Sequence, residues 1–174
     1  MRRSDRLEAE FSEFVAARAD QLYRNAYLLT GSSHSAEDLV QTALAKAYAA
    51  WGRVTRADDP VAYVHGVLIK SFLSERRRRS SSELPVERPA DRAVTDDDPT
   101  DRAALMGALA QLAPVDRAVV VLRFWEDQSV ARTASELGIT EAAVKNRSLR
   151  ALRALRGLLV EHAPLSDDAT WSAS

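Results

Sequence analysis

The sequence predicts an all-α protein: two small helical domains joined by a flexible acidic linker. Three observations point there. Ala and Leu are abundant while aromatic residues make up only 6% of the chain, a balance that favours helix over sheet. Apolar residues recur at three- and four-residue spacing through several long stretches. Residues 80–100 collect Ser, Pro and acidic residues with little apolar periodicity, so they bury too little surface to order themselves. About 20 such residues inside one compact domain are unusual. The 174 residues therefore divide into domains over 1–79 and 101–162, with a loose acidic tail over 163–174. Each half is long enough for a helical core.

The first half reads as three helices. Leu7 to Thr30 carries Phe11, Val15, Leu22 and Leu29 on one stripe, and Gly31 stops it. A second helix starts after Ser35, whose spacing to Asp38 fits a capping box. Its apolar set is Leu39, Val40, Ala43, Leu44, Ala47, Tyr48 and Trp51, leaving Asp38, Gln41, Thr42 and Lys46 on the opposite face. A third opens at Asp59-Pro60, Asp as N-cap and Pro at the first helical position. It carries Val64, Val67, Leu68 and Phe72 and ends in Arg76–Arg79.

Four helices are expected in the second half. Asp98-Pro99 opens one that runs to Leu112. Pro114 opens the next, with Val115, Ala118, Val119, Leu122 and Phe124 or Trp125 buried. Val130–Leu137 and Thr140 to about Glu161 complete the set. The last two read as a helix-turn-helix. Ala134 is small where the two helices touch, Gly138 tolerates the positive φ of the turn, and Val144 plugs the core. Leu137 and Ile139 fill the remaining inward positions. Lys145, Asn146, Arg147, Leu149 and Arg150 are left exposed or flanking. A helix so decorated fits a major groove, where Arg and Asn read base edges and basic groups hold phosphates.

The formal net charge of −1 argues in bulk against a nucleic-acid binder. By segment it is a cancellation. Lys70 and Arg76–Arg79 against Glu75 give +4, residues 80–101 give −5, and residues 141–157 give +4. The arginine run either complements a helix C-terminus or contacts DNA. Phe72 and Trp51 are expected in the core. Tyr63 lies off the apolar stripe, placed to stack on an unpaired base or to edge the core.

Catalysis finds no support. His34, His65 and His162 lack metal-ligand spacing, there is no Gly-rich phosphate loop, and the chain has no Cys. Glu37-Asp38 and Asp58-Asp59 suit helix starts. We expect a protein with no cofactor, no metal and no enzymatic activity. No apolar run approaches the 18–20 residues or so needed to cross a bilayer, and residues 1–13 lack an apolar signal core. A cytoplasmic protein without membrane insertion is expected.

The order of these parts resembles the extracytoplasmic-function sigma factors of bacterial RNA polymerase, in their small actinobacterial sigma-E-like group. Ala36-Glu37-Asp38-Leu39-Val40-Gln41 is similar to their core-polymerase-binding motif. Asp59-Pro60-Val61-Ala62-Tyr63-Val64 and Val67-Leu68-Ile69 resemble the segment that melts and reads the −10 element. Leu112–Val119, Leu122–Asp127 and Ala143–Leu152 resemble the −35-binding domain and its recognition helix. The resemblance covers about residues 10–160.

It implies that Asp38 and Gln41 dock on core polymerase. Tyr63, Lys70, Ser74, Arg76 and Arg77 would face the −10 element, and Lys145, Asn146, Arg147, Leu149 and Arg150 the −35 element. Promoter DNA, core RNA polymerase and an anti-sigma protein are the implied partners. Three positions depart from the family pattern: Lys70 stands where many relatives carry Asn, Thr42 where an acid is common, and Ser148 is small. Within the linker, Asp96, Asp97 and Asp98 are expected to affect initiation or escape more than core binding. The charge cancellation suits a factor that binds DNA weakly alone and well once polymerase spreads its two domains. A stand-alone helix-turn-helix regulator is the alternative, and it would bind duplex DNA without polymerase.

Overall fold

A computed structural model describes residues 2–82 and 99–162. The expectations for the linker acids, the tail and the His162 side chain lie outside the described residues. The described residues form helices joined by short turns: α1 (Arg3–Thr30), α2 (Ser33–Ala49), α3 (Trp51–Val54), α4 (Pro60–Ser81), α5 (Pro99–Ala110), α6 (Pro114–Val120), α7 (Val130–Leu137) and α8 (Glu141–His162). A π-helical turn, Val121–Trp125, continues α6 without a break.

The first half forms around the apolar stripes of α1, α2 and α4. Leu22, Ala26 and Leu29 meet Ala36, Leu39, Ala43 and Ala47, and Val64, Leu68 and Phe72 close the third side. Each fully buried Leu or Val contributes about 1.5–3 kcal/mol relative to exposure. Gly31 ends α1 at φ 78°, and its N–H bonds the Tyr27 carbonyl at 2.8 Å. Asp59 caps α4 by accepting from the Ala62 N–H at 3.0 Å. That bond, with a smaller contribution from Arg132, holds its carboxyl below the usual range.

Several boundaries differ from expectation: α1 begins at Arg3 and not Leu7, and α5 ends at Ala110 and not Leu112. Ser32, not Ser35, caps α2: its hydroxyl accepts from the Ser35 N–H at 3.2 Å. Both serines fit the local pattern, and the chain leaving Gly31 reaches extended backbone at Ser32. Helix α3 was not anticipated; its four residues seat Trp51 and Val54 under the bundle. Trp51 and Phe72 are buried as expected, but Tyr48 is 50% exposed, its ring edging Phe11 at 4.9 Å.

The second half surrounds α6. Residues 116–122 are buried without interruption, a run that one helix face cannot produce. The reason is that α6 and its π turn are covered on both sides. Val119 joins Ala134 and Val144 of the helix-turn-helix, and Val120 joins Leu109, Ala151 and Leu155. Ala118, Val121 and Leu122 instead join the core of the first half. The two halves thus share one apolar seam. Phe124 and Trp125, one of which was expected inside, are both exposed, at 47% and 44%. The wider π turn carries their side chains past the seam.

Candidate nucleic-acid interface

Helix α7 is capped by Ser129, whose hydroxyl accepts from the Arg132 N–H. It ends at Gly138 in the left-handed region, φ 64°. Thr140 then caps the start of α8 by accepting from the Ala143 N–H. Ala134 is 6% and Val144 0% exposed, with Leu137 and Ile139 packed against them. The steric requirements read from the sequence are met at the expected residues.

Val144, Ala151 and Leu155 turn inward, so the opposite face of α8 is solvent-facing. Lys145, Asn146, Leu149 and Arg150 are exposed and Arg147 is half-buried. Arg147 and Arg150 are not free. Both pair with Asp116, at 2.7 Å and 2.9 Å. Sequence reasoning missed this acid, since an Asp in the first turn of a helix reads as a dipole complement. Only the packing of α6 on α8 brings it under the two arginines.

On α4, helical spacing puts Tyr63, Lys70, Ser74 and Arg77 on one stripe, with Arg76 about 140° away. Lys70 and Arg77 are exposed and Ser74 is half-buried. Tyr63 is half-buried and packs at the edge of the core. Arg76 leaves the group: its guanidinium lies 5.6 Å over the Phe72 ring, and burial lowers its pKa. Helix α7 runs beside the stripe. Arg132 Nη2 donates to Asp59 at 3.1 Å, and a Cβ on Gly66 would sit 4.0 Å from the Glu136 carboxyl. Burial raises the Glu136 pKa, with Gln128, Arg132 and Lys70 pulling the other way.

Asp38 and Gln41 are exposed on α2. They line a groove between α2 and the end of α4, with Thr42, Glu75, Arg78 and Arg79. His34 Nε2 lies 3.4 Å from Asp38.

A further polar cluster, not foreseen from the sequence, sits where the halves meet. Glu126, following the π turn, accepts from Asn25 Nδ2 at 2.6 Å and from Gln21 Nε2 at 3.3 Å. His65 Nδ1 lies 3.2 Å from Asn25 Nδ2 and 3.4 Å from Glu126. Burial lowers the His65 pKa, outweighing the pull of Glu126. Nearby, Arg117 is 2% exposed and donates from Nε to the Leu28 carbonyl at 2.6 Å. That carbonyl belongs to the last turn of α1, the negative end of its dipole. Arg117 Nη2 is buried without a partner, and burial pushes the pKa down to about 10. No periodicity marks such residues; they become a group only when residues about 100 positions apart meet.

Among the described residues no group of three His, Asp or Glu is placed to hold a metal ion, and no helix is long and apolar enough to cross a membrane. A helix-turn-helix with a basic outer face, joined to a three-helix bundle bearing a second basic stripe, defines a nucleic-acid-binding factor of two modules. Residues 14–82 match the family described as Sigma-70 region 2, and residues 102–155 that described as Sigma-70, region 4. The chain belongs to the sigma-70 family of RNA polymerase sigma factors, within its extracytoplasmic-function (ECF) group.

It is 40% identical over 153 residues to the RNA polymerase sigma-E factor of Streptomyces coelicolor, covering 87% of this chain and 86% of that protein. It is 34% identical over 149 residues to the ECF sigma factor SigL of Mycobacterium tuberculosis, covering 80% and 83%. The fold is similar to the sigma factor RpoE of Bartonella quintana, solved with the anti-sigma factor NepR. The TM-score is 0.67 at 24% identity, over 87% of this chain and 97% of that one. SigJ of M. tuberculosis superposes with a TM-score of 0.60 at 30% identity, over 83% of this chain and 52% of that one. The protein is a sigma factor that directs RNA polymerase to promoters in the cytoplasm; it is not itself an enzyme.

Proposed function

We propose a division of labour among three surfaces of this factor. Asp38 and Gln41 on α2 dock on core polymerase. Tyr63, Lys70, Ser74 and Arg77 on α4 engage the −10 element, while Arg76 packs over Phe72 off that stripe. Lys145, Asn146, Arg147, Leu149 and Arg150 on α8 engage the −35 element. Residues 1–79 and 101–162 act as the two binding units, joined by 80–100. The observation that carries this reading is the separation of the exposed groups: α8 turns its basic face outward while Val144, Ala151 and Leu155 anchor it.

The contacts of α7 and the π turn with α4 suit a closed form of the free factor. Arg132, Glu136 and Glu126 occupy the flank of the −10 helix, so that helix is fully available only when the halves part. Polymerase supplies that opening. An anti-sigma protein is a further partner; RpoE of Bartonella quintana, similar in fold, was solved with the anti-sigma factor NepR.

Reconstitution with core polymerase tests the assignment. The double variant Asp38→Ala, Gln41→Ala is expected to lower core affinity about tenfold while the melting temperature holds, since both side chains are exposed. Undiminished core binding would remove these residues from the docking surface.

A further inference from the structure

Asp116 is the third residue of α6 and is only 6% exposed. A carboxylate so buried is costly unless paired. Its partners are two arginines of α8, Arg147 half-buried at the flank of the apolar face and Arg150 exposed. Arg147 Nη1 donates to Oδ1 at 2.7 Å, and Arg150 Nη2 donates to Oδ1 and Oδ2 at 3.0 and 2.9 Å. The arginines are three residues apart, one turn of the same face. Their side chains keep 34% and 65% of their surface. Each guanidinium has five N–H donors and spends only part of them on Asp116, so each retains donors for a further acceptor. One negative charge against two positive ones leaves the pair cationic.

We propose that Asp116 is a positioning residue for recognition of the upstream promoter element. It holds the Arg147 and Arg150 guanidiniums in one arrangement, so they meet the groove as a fixed pair rather than as two free rotors. Side-chain freedom that an untethered arginine loses on docking is here lost on folding, which favours the correctly spaced acceptors over others. Asp116 touches no DNA itself and acts through the arginines. The inference rests on α8 reading the −35 element.

The test uses holoenzyme assembled from core polymerase and the full chain. Its affinity is measured for a promoter this factor transcribes and for the same promoter with the −35 element scrambled, across a salt series. Asp116→Asn keeps the shape and removes the charge. The cognate-to-scrambled ratio is expected to fall about tenfold, the scale of one lost base-reading contact. Affinity for the scrambled promoter is expected to rise and its salt dependence to steepen by up to about one unit, because a positive charge is left uncompensated. Asp116→Glu restores more than half of the ratio.

A ratio within twofold of wild type would overturn the proposal. So would a loss shared equally by both promoters, which is what a merely structural role gives. In a double-mutant cycle, Arg150→Ala costs less discrimination in the Asp116→Asn background than in wild type; equal costs contradict the coupling. If Asp116→Asn does not fold, the cycle is run on Asp116→Ser, which likewise removes the charge. If Arg150→Ala alone leaves the ratio unchanged, the −35 assignment of α8 fails. If only the Asp116 variants do so, that assignment stands and the positioning role falls.

Discussion

At position 150 a single side chain carries both a structural and a recognition demand. Arg150 is exposed yet tied to Asp116. Arg150→Ala is expected to cost about 1–3 kcal/mol of promoter engagement, read as promoter affinity of the holoenzyme. Thermal stability should change little, because the pair is largely solvent-exposed on the arginine side. A fall in melting temperature with undiminished promoter affinity would reverse the roles. Phe72 shows the opposite case. It is 2% exposed among Leu68, Trp51 and the α1–α2 stripes, so Phe72→Ala is expected to cost about 3–5 kcal/mol of folding stability. Denaturant unfolding measures it. Its place in the core was legible from the spacing of Val64, Leu68 and Phe72. The place of Asp116 was not, because its partners lie 31 and 34 residues away and no local pattern links them.

At the scale of elements, the helix-turn-helix was the most legible part, since each of its steric needs falls on one residue type: Ala134, Gly138 and Val144. The cap of α2 was misplaced by one turn because Ser32 and Ser35 offer the same chemistry. Phe124 and Trp125 were misplaced because the α-helical period does not hold through a π turn. The sequence spacing predicts one apolar stripe on α4, but the helix is buried over a wider arc. Val64, Leu68 and Phe72 face the bundle, while His65 and Gly66 face the second half. This second contact makes α4 sensitive to acid. The depressed His65 pKa means that the closed fold holds this ring neutral, whereas an opened or unfolded chain takes up a proton below the ordinary value of 6.5. The contribution of His65 is therefore present above that value and lost as pH falls through its lowered pKa. Glu136, with its raised pKa, acts in the opposite sense: its contribution is present in acid and lost as pH rises. Comparison with His65→Gln separates the two. The melting-temperature advantage of wild type over this variant is expected to shrink between about pH 7.5 and 5.5. A constant difference would exclude the histidine as its source.

For the whole molecule, the division into two halves was visible in composition, but the seam between them was not. That seam joins Ala118, Val121 and Leu122 to the core of the first half and places the Glu126 cluster and Arg117 beside it. Arg117 is an expensive component: a buried cation with one carbonyl partner, an unpaired Nη2 and a pKa pushed down to about 10. Replacing such a group by an apolar one of similar length is often neutral or stabilising. Arg117→Met is accordingly expected to keep or raise the melting temperature, by up to about 2 kcal/mol of stability; marked destabilisation would show that the cation favours closure. Glu126→Ala strips Asn25 and Gln21 of their shared acceptor and removes the carboxylate beside His65, and is expected to enlarge the free factor in small-angle scattering. In the proposed arrangement α4 and α8 read different promoter elements in one polymerase-bound factor. Site-specific photo-crosslinking in reconstituted holoenzyme tests it most directly, with the probe at Tyr63 or at Leu149. Position 63 is expected to label the −10 element and position 149 the −35 element, both only when core polymerase is present. Labelling of one element from both positions, or equal labelling by the free chain, would contradict it.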